Sequence, residues 1–106
     1  MNIYEMPEFP INDEVISVLT QNDRIRIERI ISTGQQSDWY DQEEGEFVIL
    51  LEGRAQLVFE GKRMITMEKG DTLQIPPHQK HRVAYTSTDP PRIRLCVFFL
   101  VYPDGL

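Results

Sequence analysis

The chain lacks most of what could hold a protein together or anchor it from outside its own core. Its 106 residues include one cysteine, Cys96. No internal disulfide can form, and a lone thiol fits a reducing compartment. The longest apolar run, Leu95–Tyr102, has eight residues, whereas a membrane helix needs about 20. The N-terminal Met-Asn-Ile-Tyr-Glu-Met-Pro-Glu-Phe has neither a basic start nor an apolar centre, so it is not expected to be a signal peptide. These absences together predict a cytoplasmic protein with no membrane contact. Basic residues are also in deficit, 11 Lys and Arg against 17 Asp and Glu, for a net charge of −6. An acidic chain without a basic cluster is poorly suited to nucleic acid. The arginines at 24, 26 and 29 and the Lys80–Arg82 segment interleave with apolar residues, as strand faces do. There is no phosphate loop, no zinc-type cysteine spacing and no serine nucleophile elbow.

What is present is enough for one core. Hydrophobic residues make up 41% of the chain, and a domain of this size buries roughly 60–70% of its unfolded surface. Turn signals recur along the chain: Gly34, Glu52-Gly53, Gly61-Lys62, Lys69-Gly70-Asp71, Pro76-Pro77 and Asp89-Pro90-Pro91. Between them lie short segments of strand character. Arg24–Ile30 alternates polar and apolar residues. Phe47–Leu51 is wholly apolar, and Ala55, Leu57 and Phe59 share one face of Arg54–Glu60. Arg63–Met67, Thr72–Ile75, Arg82–Tyr85 and Ile93–Val101 follow. Closely spaced strands without a long helix predict an all-β sandwich or barrel. Residues 1–23 read as an extended arm with at most one helical turn near Glu14–Leu19, residues 24–102 as the barrel, and residues 103–106 as a tail. The apolar Leu95–Tyr102 strand would be an aggregation hazard at an open edge, so a homodimer is expected.

Tyr40–Gly53 stands out. Side chains alternate along a strand, so Glu46 shares a face with Val48 and Leu50, while Phe47, Ile49 and Leu51 fill the other. With both faces apolar, the strand is expected to be covered on both sides and Glu46 to point into the interior. A buried carboxylate is costly unless it is paired, hydrogen-bonded or bound to a metal.

The spacing of Gly34, Tyr40, Gln42, Glu46 and Gly53 resembles the first cupin motif, in which histidines stand where this chain has Tyr40 and Gln42. Gly70-Asp71, Ile75-Pro76-Pro77 and His81 resemble the second. Here His78 replaces a usual glycine and Tyr85 a usual asparagine. The resemblance spans roughly Ile25 to Val101. It implies a single-domain double-stranded β-helix, the jelly-roll β-barrel, with a site in the barrel mouth. It also implies one metal ion (Fe, Mn, Ni or Zn) at the positions of Tyr40, Gln42, Glu46 and His81. Read from the residues alone, the same four side chains serve equally as a metal-free polar cluster in which Glu46 accepts from its neighbours. A tyrosine, an amide and a carboxylate form an oxygen-rich set that binds late divalent metals less tightly than imidazoles do.

The catalytic candidates are therefore Glu46, His81 and Tyr40. His78 reads as a surface turn residue and Trp39 as rim or core packing. Tyr85 reads as facing the cavity or not, and Cys96 as inert filling. The expected ligand is a small polar or anionic metabolite. An enzyme of isomerase or dioxygenase type and a non-catalytic binding or sensor module both fit, as does a stable barrel with a vestigial site. Fold alone does not choose among them.

Overall fold

Alternation of apolar residues over short, turn-bounded segments produces eight antiparallel strands in the computed structural model, which describes residues 1–61 and 63–100. They are β1 (Val15–Gln21), β2 (Ile25–Ser32), β3 (Gly45–Glu52), β4 (Ala55–Phe59), β5 (Met64–Met67), β6 (Thr72–Ile75), β7 (His81–Thr86) and β8 (Arg92–Phe99). No helix forms among the described residues. One sheet runs in the order β1-β2-β8-β3-β6 and the other β5-β4-β7. Non-consecutive neighbours in both sheets give the jelly-roll arrangement expected from the sequence.

The core lies between the inner faces of the two sheets. Val48 and Leu50 of β3, Ile30 of β2, Cys96 and Phe98 of β8 and Ile75 of β6 meet Ala55, Leu57, Phe59 and Met67 from the smaller sheet. The β4 face read from the sequence as Ala55, Leu57 and Phe59 is buried at all three positions.

Four expectations are corrected or refined. Glu14–Leu19 holds no helical turn: Val15–Gln21 is a strand paired with β2, because an edge partner satisfies its backbone more fully than an isolated turn would. The last strand begins at Arg92, so one more arginine joins a segment that already held Arg94. Its expected end at Val101, like Tyr102, Lys62 and the tail, lies outside the described residues. Tyr85 faces outward and is 42% exposed. Leu57 pairs with Val83 but Gln56 pairs with Tyr85, so β7 carries an extra residue that reverses the alternation beyond Val83. Finally, β3 is covered on one side only. Phe47, Ile49 and Leu51 are half-buried within the chain. Ile27, Val97 and Phe47 form one transverse row on the outer face, and Leu95 and Ile49 lie in the next, all half-buried.

The N-terminal arm covers part of this outer face. Arg29 points outward from β2 yet is 5% exposed. Its Nη1 donates to the carbonyl of Glu5 at 2.7 Å and reaches those of Ile3 and Asn2 at 3.4 and 3.5 Å.

The β3–β4 turn depends on Gly53. Its φ is +83°, and an added Cβ would lie 2.7 Å from the Pro91 carbonyl oxygen and 2.8 Å from the Arg92 Cα. Left-handed strain and overpacking then act together, so Gly53→Ala is expected to cost at least about 2 kcal/mol in denaturant unfolding. A loss below about 0.5 kcal/mol, the range of neutral surface changes, would contradict this account of the turn.

Candidate functional site

Parity places Glu46 inside. As the second residue of β3 it shares the inner face with Val48 and Leu50 and is 3% exposed, flanked by Ile75 on β6 and Phe98 on β8. His81 opens β7 on the facing sheet, also 3% exposed. It pairs with Phe59 on one side, their rings stacked at 5.8 Å. On the other side it pairs with Tyr40: the Tyr40 amide donates to the His81 carbonyl at 2.7 Å, and the His81 amide donates back at 3.1 Å. The two rings are 5.6 Å apart.

The approach to His81 is built by the Pro76-Pro77-His78 turn. His78 adopts φ +60°, the conformation that favours glycine, and its amide donates to the Gln42 carbonyl at 2.8 Å. Its ring faces solvent and binds Asp41 at 2.8 Å, as a surface turn residue should. The turn thus holds the Gln42 segment beside β7. From there Gln42 Nε2 donates to Glu46 Oε1 at 3.2 Å.

Tyr40, Gln42, Glu46 and His81 accordingly line one cavity of about 220 Å³. That is smaller than the roughly 300–1,000 Å³ usual for ligand sites, so it suits a small molecule. A larger hollow of about 660 Å³ lies between Phe9–Ile11 of the arm and Thr33, Thr88 and Pro91. Its lining carries no titratable side chain, so the smaller cavity is the better chemical candidate. Trp39 is 47% exposed and does not line the cavity; the outward-facing Arg82 guanidinium lies 5.6 Å from its ring.

Arginines complete the site, and sequence reasoning passed over them. Arg94, on the inner face of β8, sets Nη1 3.6 Å from Glu46 Oε2 and Nη2 4.0 Å from Glu14 Oε2. Burial opposes its charge, but Cys96, Glu46 and Glu14 outweigh burial and hold the guanidinium above its ordinary value. Arg92, two residues earlier on the same face, is fully buried. Burial, and then Arg94, push it down to about 9, so it is still a cation at neutral pH. None of its three guanidinium nitrogens has a hydrogen-bond partner among the described residues. The available signal was alternation: Arg92, Arg94, Cys96 and Phe98 share one face of β8. Arg26 also lines the cavity, but Glu28 and Glu44 engage it at 2.8 and 2.9 Å.

Two atoms are left ready for chemistry. His81 Nδ1 lies 2.8 Å from the Gln79 carbonyl. A carbonyl only accepts, so Nδ1 carries the proton and, in the neutral ring, Nε2 keeps its lone pair. Glu46 Oε2 is buried without a hydrogen-bond partner among the described residues. Cys96 is fully buried, and its thiol is pushed up to about 12, mainly by burial, which makes it inert filling.

The four residues do not fit a divalent ion well. Only Glu46 and His81 are strong ligand types for such an ion, and Tyr40 and Gln42 stand where imidazoles would bind it more tightly. The carboxylate that would have to bind the ion already faces a guanidinium.

A family model described as Cupin domain matches residues 28–98. A solved structure from Ralstonia eutropha JMP134, provisionally assigned as a mannose-6-phosphate isomerase, is 34% identical over 95% of this chain and 97% of its own, with a TM-score of 0.89. A cupin superfamily protein from Desulfitobacterium hafniense DCB-2 is 20% identical over 89% of this chain and 84% of its own, with a TM-score of 0.77. KdgF from a Halomonas species is 13% identical over 98% and 95%, with a TM-score of 0.75. No curated protein is detectably similar.

Proposed function

The chain belongs to the cupin family, and from that premise we propose that it binds a small polar or anionic metabolite in the barrel cavity and moves a proton on it. The observation that carries this reading is the pairing of Glu46 Oε2, buried beside Arg94 but without a hydrogen bond, with an imidazole whose Nε2 lone pair is free to accept, both on one small cavity. A buried acceptor without a hydrogen bond has capacity left for a donor on an occupant.

In the reaction class that fits, His81 Nε2 takes a proton from a carbon next to a carbonyl. The Arg94 guanidinium stabilises the negative charge that develops on the carbonyl oxygen, and the proton returns to a neighbouring carbon or to the opposite face. Glu46 receives a hydroxyl of the ligand and, across the cavity, holds the charge that His81 acquires. Tyr40 closes the rim beside His81 and supplies a second proton donor. Isomerisation of a small hydroxycarbonyl compound is the net result, with no atoms gained or lost. The provisional assignment of the Ralstonia relative, an isomerase acting on a sugar phosphate, is of this general kind. No step is routed through a metal, because the donor set does not fit one.

A second reading is favoured by the contacts that Glu46 already makes. With Gln42 on one oxygen and Arg94 near the other, the carboxylate can serve recognition alone, and the protein would then be a binding or sensor module. Melting shifts with a panel of small hydroxy acids, sugar acids and sugar phosphates, followed by turnover assays on the hits, separate the two. The enzyme reading expects conversion of a stabilising compound and a loss of about 10²–10⁴-fold in kcat for His81→Gln. Stabilisation without turnover supports the sensor, and no stabilisation by any compound contradicts both.

We further propose a cytoplasmic homodimer whose partner covers the outer rows formed by Ile27, Val97 and Phe47 and by Leu95 and Ile49. A contiguous apolar patch that the chain itself only half covers is the kind of surface that marks an interface. Light scattering at micromolar concentration is expected to give twice the chain mass, and Ile49→Lys to give the chain mass. A wild-type monomer would contradict the proposal.

A further inference from the structure

We propose that Arg94 is the site's resident cation and that its guanidinium, rather than the loss of the usual ligands alone, excludes a divalent metal from this barrel. The inference rests on reading the cavity around Glu46 as the functional site, but it concerns which charge fills that site and not which reaction follows.

The geometry is restrictive. Gln42 occupies Glu46 Oε1 at 3.2 Å, which leaves Oε2, buried, as the oxygen without a hydrogen bond. A metal bound there would sit about 2.0–2.2 Å from Oε2. Arg94 Nη1 is 3.6 Å from the same oxygen. The metal would therefore lie no farther than roughly 6 Å from a guanidinium nitrogen, even with the two on opposite sides of that oxygen. A double and a single positive charge would face each other at that range inside a cavity whose walls screen little. Arg94 cannot relieve the repulsion by losing its proton, since arginine does not deprotonate in proteins. Nor can it readily leave: its side chain is 10% exposed, and Glu46 and Glu14 attract it from within the cavity.

The guanidinium also supplies what the metal would. It balances the Glu46 carboxylate in the interior, and its Nε is a buried donor without a partner among the described residues. Arg94 thus offers a ligand oxygen a fixed positive charge and an N–H, the electrostatic part of a metal's role. A resident cation of this kind predicts that replacing Tyr40 and Gln42 by histidine will not by itself create a metal centre.

The test compares the wild type with Tyr40→His/Gln42→His, and that double variant with Arg94→Gln or Arg94→Lys added. Each protein, prepared without an affinity tag, is dialysed against Mn²⁺, Ni²⁺ or Zn²⁺. Metal per chain and the shift in melting temperature are then measured. The expected result is weak, substoichiometric binding by the wild type and the double variant. Adding Arg94→Gln should tighten binding at least 100-fold, approach one ion per chain and raise the melting temperature, while Arg94→Lys, which keeps the charge, should remain weak. Equal tight binding with Arg94 in place overturns the proposal, as does a folded Arg94→Gln protein that binds no more tightly. If the Arg94→Gln protein folds only when metal is added, the proposal is supported. If it folds under no condition, the lysine variant decides: binding as weak as in the double variant supports a charge barrier, and tight binding overturns it. These readouts hold whether or not the wild type turns over any substrate.

Discussion

The buried Glu46 carboxylate and the Arg94 guanidinium that answers it set the terms for the rest of the molecule. An ionised carboxylate placed between Val48, Ile75 and Phe98 would be prohibitively expensive alone. Attraction between buried charges repays their desolvation only when the geometry is good and the remaining polar atoms find partners. Here the repayment is incomplete. One Glu46 oxygen accepts from Gln42, while the other faces Arg94 at 3.6 Å without a hydrogen bond. An apolar pair would pack this space more cheaply, so the charges are better understood as machinery for a ligand than as a source of stability.

That pair also explains how the barrel is assembled around its site. The Cα of Arg94 lies opposite Leu50, four residues along β3 from Glu46, or roughly 13 Å at the rise of a strand. The arginine must extend along the inner face to reach the carboxylate, so β3 and β8 have to pair in this register. The facing sheet contributes His81, which is clamped between Phe59 and the backbone of Tyr40. Positioning therefore comes from strands and from one tight turn at His78 rather than from a mobile loop, which suits a site that must hold its groups in place.

The fold was largely legible in the chain. Turn residues at short intervals marked the strands, and the alternation of Ala55, Leu57 and Phe59 and of Glu46, Val48 and Leu50 assigned their faces. Those signals are local, and the strands keep them. Two local readings failed where the deciding partner was distant. Val15–Gln21 carries weak strand character and becomes a strand because β2 offers an edge. Tyr85 turns outward because a bulge opposite Gln56 interrupts the period. The site was legible in part. The four positions singled out by spacing, Tyr40, Gln42, Glu46 and His81, line one cavity, because Glu46 and His81 lie on inward strand positions and Tyr40 bridges to His81. It did not reveal Arg92 and Arg94, because an arginine at the start of an apolar strand reads as a solvent-facing end. Only the inward register of β8 against Glu46 turns both residues toward the interior.

A double-mutant cycle on the pair tests the central claim most directly. Arg94→Met, Glu46→Gln and the combined variant would be compared with the wild type by denaturant unfolding. Arg94→Met alone should cost about 3–5 kcal/mol, because it strands a buried carboxylate. The combined variant should recover much of that loss, giving a coupling energy of about 1.5 kcal/mol or more, within the range found for contacting residues. Losses that add to within about 0.5 kcal/mol would mean that the two charges do not depend on each other, and would contradict the account.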